Sequence, residues 1–405
     1  MIPQLPPISG VATSQTSQAV NGQVQNGEVV STQTLDVDAV SDQTTAETSA
    51  TGNAYSAAVE TGDLDVQSTQ SMQGNATGTT ILNVVTYAGD QVSLSTEGTG
   101  NTSEADNVGG GALTGTFQQT TGAVSITTES QVNGDAAQAG DLTVTNNAIA
   151  NTQGLGIVGG TANTTVTQTS QALTQSNGGG VLEGTLGTAT FSALAVSNNV
   201  TATGTDGSAQ TLNVNQTMTG ERTQAAQFLA FGEAQTLTNA ATATANNVSV
   251  TNDGASLDVV TVQDNESYLR AQAETTAFQF GTSQTMATGV GNSVMAGETS
   301  GPININNTQT NSGDGVQVVA SSAGFDGYDL AASATAMGNA VTGFSCSLCG
   351  GSMTARNSQT NSADVSAVSS LNLGVPGGGS ARSVTGTSTA VGNSATFYVS
   401  RPAGG

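Results

Sequence analysis

The chain contains no histidine, no lysine and no tryptophan, and each absence removes a class of function. Without histidine there is no Ser/His/Asp or Cys/His catalytic pair, no imidazole metal ligand and no side chain that titrates near neutral pH unaided. Without lysine, five arginines face 29 acids, and the net charge of −24 would repel nucleic acid and acidic lipid, which we exclude as partners. The arginines are Arg222, Arg270, Arg356, Arg382 and Arg401.

Aromatic and charged residues are also scarce. Aromatics make up 3% of the chain, so a core must be thin and built from Val, Leu, Ile, Ala and Thr. Charged residues make up 8%, against roughly 25% in typical soluble domains, so disorder through charge is not expected. Low complexity still leaves a partly disordered chain as an alternative. No apolar run reaches the roughly 18 residues of a transmembrane helix.

The main feature that is present is a repeat. A phrase ending in Gly-Asn or Asn-Asn, preceded by alternating small residues, returns about eight times at steps of 45 to 54 residues. Examples are ALAVSNNVTATG from Ala193 and SATAMGNAV from Ser333. Stacked units bury their apolar faces against neighbouring units, which explains such a period. The asparagines of the phrase are Asn53, Asn101, Asn147, Asn199, Asn247, Asn292, Asn339 and Asn393.

A second phrase is centred on glutamine and follows seven of the Asn phrases about 14 to 21 residues later. Examples are TLNVNQTMT and NINNTQTNS. Two phrases that keep step argue against a chance product of biased composition. The glutamines are Gln67, Gln118, Gln168, Gln216, Gln263, Gln309 and Gln359.

Local patterns predict the kind of repeat. Runs such as ATATANNVSV alternate small or β-branched residues with polar ones, as strands do, and no stretch has helical spacing. Glycine, Asn, Ser and Asp cluster between the runs, where tight corners need them. The sequence therefore predicts an all-β fold, a β-solenoid (β-helix) of about eight repeats of ~45–54 residues in an elongated particle. A unit of ~48 residues fits either one broad coil or two narrow ones.

Amides at matching positions of successive coils can stack in register. Each amide then donates to one neighbour and accepts from the other, which satisfies both groups without charge. We interpret all the asparagines and glutamines of the two phrases as ladder or corner residues with a structural role. No catalytic residue and no cofactor is predicted.

Two carboxylate pairs are weak candidates for a metal site. Asp36 with Asp38, and Asp63 with Asp65, are spaced to share one face of a strand, where their oxygens could bind Ca²⁺. Neither pair has the glycine framing of a calcium loop, and solvated acids at a strand edge explain both equally well. Because solenoids also host polysaccharide-cleaving enzymes, hydrolysis by a carboxylate pair is the enzymatic alternative.

The only cysteines are Cys346 and Cys349 in FSCSLCGG. Zinc needs about four ligands, and a chain with two cysteines and no histidine does not supply them. A local disulfide at a corner is the preferred interpretation for an exported protein, with a free thiol pair as the alternative.

Organisation and location follow from the repeat and the composition. We divide the chain into an N-terminal segment, 1–30, the repeat region, 31–400, and a tail, 401–405. The opening MIPQLPPISG has no charged region followed by an apolar one, so no secretory signal is visible in this sequence. Even so, an acidic, Lys-free chain rich in Thr, Ser, Asn and Gly suits the bacterial cell surface.

The Gly-Asn and Gln phrases in a Ser/Thr/Ala/Gly-rich chain resemble the HfaD family of holdfast anchor proteins from stalked and budding alphaproteobacteria. The resemblance covers about Val30 to Val399 and is one of character and repeat style. Curli-type subunits are distantly similar, but their repeats are close to half as long. The resemblance implies an outer-membrane anchor for an adhesive polysaccharide. It also implies other holdfast anchor proteins as partners, including a curli-type outer-membrane lipoprotein pore and a small fibre subunit.

Three functions remain as hypotheses. The leading one is a non-enzymatic cell-surface anchor that attaches the holdfast polysaccharide to the outer membrane. The second is a secreted amyloid-like fibre subunit, or a generic β-solenoid adhesin, which leaves self-assembly open. The third is a polysaccharide-degrading solenoid enzyme.

Overall fold

The computed structural model describes residues 16–346, 350–374 and 382–400. Strands account for nearly all of these residues, and no helix occurs among them, so none is long and apolar enough to cross a membrane. The strands are β1 Thr16–Gln25, β2 Val29–Ala39, β3 Gln43–Val59, β4 Asp63–Met72, β5 Ala76–Tyr87, β6 Gln91–Asn107, β7 Ala112–Thr121, β8 Ser125–Ala139, β9 Asp141–Val158, β10 Thr161–Ser170, β11 Leu173–Met218, β12 Arg222–Asn265, β13 Tyr268–Glu298, β14 Ile303–Asn311, β15 Val316–Cys346, β16 Met353–Asn361, β17 Val365–Leu373 and β18 Ser383–Ser400.

Every strand pairing is parallel, and each strand pairs with the strand one repeat away. The pairings sort the chain into three columns. The Gln column contains β1, β4, β7, β10, residues 209–218 and 257–265, β14 and β16. The third column contains β2, β5, β8, residues 173–185, 222–234, 268–280 and 316–324, and β17. The Asn column contains β3, β6, β9, residues 188–205, 236–252, 282–298 and 329–346, and β18.

One sequence repeat therefore passes through all three columns before it stacks on its neighbour, which is parallel stacking consistent with a solenoid. Side chains that contact each other across the stack are 47 residues apart at Asn21 and Ser68 and 54 apart at Asn339 and Asn393. Of the two arrangements open from the sequence, the structure shows the broad coil.

The breadth of the coil corrects the expected shape. At about 4.8 Å per layer, a stack of about eight repeats is ~40 Å tall, whereas at about 3.3 Å per residue the 17 residues of β3 extend ~55 Å. The expectation of an elongated particle is wrong, because one repeat of ~48 residues makes one wide layer.

The corner between the Asn and Gln columns depends on glycine. Gly62, Gly110 and Gly207 each have a positive φ there, at 99°, 78° and 77°. The neighbouring Gly160 is packed so closely that an added Cβ would lie 2.1 Å from the carbonyl oxygen of Gly111. Because L side chains rarely adopt this backbone and have no room beside it, the glycine-rich stretches of the sequence become stacked corners.

The core lies between the columns and consists of several apolar clusters. Burial alternates along the strands, as in β10, where every second residue from Ala162 to Ser170 is buried. Most buried apolar residues are Ala, Val and Leu, and the few fully buried aromatics include Phe191 and Phe231, whose rings meet edge to face at 5.9 Å. A core of small residues is what the scarcity of aromatics predicts.

The stack of strands includes part of the N-terminal segment, 1–30, which lies outside the predicted repeat region. β1 begins at Thr16 and pairs with β4 along its length. Residues 1–15 and the tail 401–405 lie outside the described residues. The division of the chain into segments otherwise stays a proposal.

Candidate functional site

A row of asparagine amides runs through the Asn column. Each Nδ2 donates to the Oδ1 of the next member at 2.7–2.8 Å. Its second hydrogen bonds a backbone carbonyl of the Gln column, as Asn246 does to Asp264 at 2.9 Å. The members are Asn53, Asn101, Asn151, Asn198, Asn246, Asn292, Asn339 and Asn393.

A second row, of glutamine amides, runs through the Gln column in the opposite direction. Each Nε2 donates to the Oε1 of the preceding member at 2.7–2.9 Å. Its second hydrogen bonds a backbone carbonyl of the Asn column, as Gln216 does to Asn247 at 2.9 Å. Together the rows tie the two columns to each other in every repeat. The members are Gln23, Gln70, Gln119, Gln168, Gln216, Gln263, Gln309 and Gln359.

The structure brings most of the phrase residues together in these rows but leaves five outside. The five face outward, because strand neighbours point to opposite faces. Asn199 and Asn247 bond each other at 2.8 Å on the outer surface, beside Asn198 and Asn246 of the row. The outward residues are Asn147, Asn199, Asn247, Gln67 and Gln118, and the row members absent from the sequence prediction are Asn151, Asn198, Asn246, Gln23, Gln70 and Gln119.

Backbone geometry explains the Gly-Asn phrase. The residue before each row asparagine is skipped in the strand register, since Thr51 pairs with Thr99 and Asn53 with Asn101 while Gly52 has no register partner. A Cβ on Gly52 would lie 2.6 Å from the carbonyl oxygen of Gly100. A small residue in this place is the signal that identifies the row asparagine.

Two other copies of the phrase follow the same rule without glycine. Ser197 precedes Asn198 and Ala245 precedes Asn246, and both small residues are skipped in the register. In these two Asn-Asn pairs the first asparagine belongs to the row. In the pair Asn146-Asn147 neither does, and the row member of that repeat is Asn151, which follows the skipped Ala150.

The carboxylate candidates serve as hydrogen-bond acceptors for the next repeat. Asp36 accepts from Asn83 at 2.7 Å and Asp65 accepts from Thr114 at 3.0 Å, while Asp38 and Asp63 accept from Thr86 and from the backbone of Ala112. Within the described ranges, no group of three or more His, Cys, Asp or Glu side chains could hold a metal ion. These four acids join neighbouring layers through hydrogen bonds.

Cys346 ends β15 and is disulfide-bonded. Cys349, the other half of the predicted pair, lies outside the described residues.

Two other carboxyl groups have perturbed acidity. Desolvation raises the pKa of Asp106 on β6, and the charge of Glu104 raises it further. Desolvation likewise raises the pKa of Asp264 on β12, with a second contribution from Glu266. Both acids are partly buried beside a like charge, which makes their ionised form unfavourable.

The outer face of the third column carries a concave apolar surface. Gly179 lies in register between Gln131 and Phe228, and because it has no side chain it leaves a depression flanked by Asn177 and Val181. We call this depression the glycine notch. Its cavity is about 310 Å³. Phe228 is 47% exposed, so one side of its ring is open to solvent.

Polar groups surround that ring. Glu129, Gln131 and Asn133 project from β8 on the same outer face, and Gln131 donates to Glu129 at 2.6 Å. An open aromatic ring beside carboxylate and amide groups can pack on the apolar face of a sugar while hydrogen-bonding its hydroxyls. Further along the column, Phe278 stacks on Phe325 with ring centroids 4.7 Å apart.

The family comparison matches nearly the whole chain. The model of the family HfaD, holdfast attachment protein D, matches residues 38–315 and 327–403. The chain belongs to the HfaD family. No curated protein and no solved structure matched the chain. Membership in HfaD, a structural family and not an enzyme family, implies a role in holdfast attachment and a cell-surface location.

Proposed function

We propose that the protein is a non-enzymatic anchor that attaches the holdfast polysaccharide to the outer membrane. The observation that carries this proposal is the HfaD match, which extends over most of the stacked layers. The matched segments include the whole Asn row and the Gln row from Gln70 to Gln359, so the family match and the stack largely coincide.

We further propose that the chain is a β-solenoid of about eight coils in which the amide rows have a structural role. Satisfied amides buried through the stack favour a single register, because a shifted layer leaves unpaired polar groups inside. The result is a stiff body whose outer faces are fixed relative to one another. A fixed surface suits an anchor, because several weak contacts held in place give durable attachment.

The glycine notch is the proposed contact for the polysaccharide. The ring of Phe228 would pack against the apolar face of a sugar. Groups that can bond the sugar hydroxyls surround it, on Glu129, Gln131, Asn133 and Asn177. The notch lies on the side of the body, so a long glycan can pass over it without threading into a closed pocket. The acidic surface would also attract any cationic amino sugars in the adhesive.

The remaining partners of the anchor are proposed from the family. They are the other holdfast anchor proteins, including a curli-type outer-membrane lipoprotein pore for export and a small fibre subunit. A secreted fibre subunit and a polysaccharide-degrading enzyme are the competing functions.

Deletion of the gene tests the anchor proposal. The deletion strain should still make the adhesive but shed it into the medium under flow, whereas a strain that retains its adhesive normally rules the anchor out. Detectable release of short sugars by the purified protein would favour the enzyme instead.

Complementation with point variants tests the notch. Phe228→Ala should restore folded protein at the surface but reduce retention of the adhesive. Phe278→Ala is the matched control, because it removes another half-exposed phenylalanine from the same column, away from the notch. Equal retention by the two variants would remove the notch from the proposal and leave the anchor function untouched.

A further inference from the structure

The two ends of the stack carry unused hydrogen-bonding groups of opposite kind. At the first layer, no described donor reaches Asn53 Oδ1, and Gln23 Nε2 donates only to the carbonyl of Ala54. At the last layer, Asn393 Nδ2 donates to no described acceptor, and no described donor reaches Gln359 Oε1. This difference follows from the opposite directions of the two rows.

The unused groups match across the two ends. The donor of Asn393 corresponds to the acceptor of Asn53, and the acceptor of Gln359 corresponds to the donor of Gln23. A second copy placed on the last layer, in the register of the stack, would continue both rows without a break. Two first layers placed together would bring acceptor to acceptor in the Asn row and donor to donor in the Gln row. Two last layers placed together would bring donor to donor in the Asn row and acceptor to acceptor in the Gln row.

The apolar core is unfinished at the same two ends. In the register of the third column, Leu371 and Leu373 of β17 occupy the rows of Leu35 and Val37 of β2. All four side chains are only partly buried although they pack on the same core cluster. Stacking a second copy would cover both pairs, which removes apolar surface from water.

Charge also differs between the ends. Residues 16–60 contain acids and no arginine, whereas residues 350–374 and 382–400 contain Arg356 and Arg382 with one acid, Asp364. Arg382 is ion-paired with Asp329 of the preceding layer, which leaves Arg356 and Asp364 to balance each other. The net charge of −24 belongs to the whole chain, but the contact between opposite ends brings a strongly acidic layer against one that is close to neutral. The acids of the first layer are Glu28, Asp36, Asp38, Asp42, Glu47 and Glu60.

We propose that the protein associates head to tail with further copies of itself. The layer of β16, β17 and β18 docks on the layer of β1, β2 and β3 of the next copy, and both amide rows continue through the junction. Because this contact joins different surfaces and does not close on itself, it produces filaments. The unpaired strand edges of both layers become paired in the same step. The inference goes beyond the anchor function and does not depend on glycan binding.

Two substitutions block one end each. Asn393→Asp keeps the oxygen that accepts from Asn339 but replaces the outward donor with a carboxylate oxygen that faces Asn53 of the next copy. Gln23→Glu keeps the oxygen that accepts from Gln70 and places a carboxylate against Gln359 of the preceding copy. It also gives up the hydrogen bond from Gln23 Nε2 to the carbonyl of Ala54. Matched controls are Asn372→Asp and Gln18→Glu, which add the same charge at outward positions of the same end layers.

The test is sedimentation velocity over a concentration series of the full chain, with negative-stain micrographs of the same samples. Wild-type protein and both controls should form linear particles that lengthen with concentration. Each blocking variant alone should remain single, with association weakened about tenfold or more. An equimolar mixture of the two variants should form particles of two chains and no longer ones. The last layer of Gln23→Glu and the first layer of Asn393→Asp are unblocked and join, and the two ends that the pair leaves exposed are both blocked.

That mixture is decisive for head-to-tail contact and also shows that each variant is folded. A wild-type chain that stays single at every concentration overturns the proposal. Single particles in the mixture, or equal loss of association in the controls, overturn it as well.

Discussion

The interior layers and the end layers contain the same amides in the same register, yet their surroundings differ. Asn246 and Gln216 are fully buried and bond a row neighbour on each side. Asn393 and Gln23 bond a row neighbour on one side only. The contribution of a row amide to the free energy of unfolding is therefore set by its number of stacked neighbours and not by its residue type alone. This is expected for a molecule whose layers contact only adjacent layers.

The largest expected effect comes from breaking an interior row. Asn246→Leu leaves the amide of Asn198 without an acceptor, the oxygen of Asn292 without a donor and a backbone carbonyl without its bond. At about 1–3 kcal/mol for each buried group left unpaired, the free energy of unfolding should fall by about 3 kcal/mol or more in a urea titration. Asn247→Leu is the control, because that neighbour faces outward, and it should cost less than about 1 kcal/mol. Equal losses would contradict the inward assignment.

The same substitution at an end layer should have a smaller effect. Asn393→Leu removes one bond to Asn339 and leaves no donor unpaired on the far side. The loss should be about 1 kcal/mol in the same titration, at a protein concentration low enough to keep the chain single. If the midpoint fell as far as it does for Asn246→Leu, interior and end layers would not differ as described.

A third effect is smaller and depends on pH. Desolvation, then the charge of Glu266, raises the folded-state pKa of Asp264. For a raised pKa, the folded state favours the protonated acid, so its stabilising contribution is present at low pH and lost as the pH rises through the folded pKa. Asp264→Asn should therefore raise the melting temperature slightly at neutral pH, and this gain should vanish in acid. Glu266→Gln should give a weaker gain of the same sign; a loss in either variant at neutral pH would contradict the assignment.

The smallest expected effect concerns the thiols at the end of β15. We propose that the bonded partner of Cys346 is Cys349, the only other cysteine. Mass spectrometry of alkylated, unreduced protein should then find both thiols blocked. Because the loop is very short, Cys346→Ser should change the unfolding midpoint little. Two labelled cysteines in protein recovered from the cell surface would refute the pairing.

Much of the fold was predictable, because alternation and period act locally and repeat. The alternating runs predicted strands, and the two phrases in step predicted stacked units. The breadth of the coil was not predictable, because a repeat of ~48 residues fits one broad coil or two narrow ones equally well. Only the pairing of distant residues decides between the two arrangements. Because each repeat fills one wide layer, the particle is wider than it is tall.

The amide rows were predictable in kind but not in every position. In TGTFQQT, Gln118 and Gln119 are equally plausible from composition, but the buried Phe117 shares its strand face with Gln119. In SNNV, the skipped Ser197 shifts the phase of the strand, so Asn198 points inward and Asn199 outward. Alternation alone misses such a shift, because the only mark of the skipped position is a small residue, and small residues occur throughout this chain. The glycine notch had no signal in sequence, since it arises where three distant strands meet.

The most direct test of the parallel one-coil stack is a disulfide across adjacent layers at the outward amides. In a background with Cys346 and Cys349 replaced by serine, Asn199→Cys with Asn247→Cys places two thiols at paired positions of neighbouring strands, about 4.8 Å apart along the stack and within disulfide reach. Mild oxidation should crosslink this pair within one chain, whereas Asn199→Cys with Val248→Cys should not crosslink, because Val248 is buried on the opposite face. Crosslinking of the second pair, or of neither, would contradict the stack.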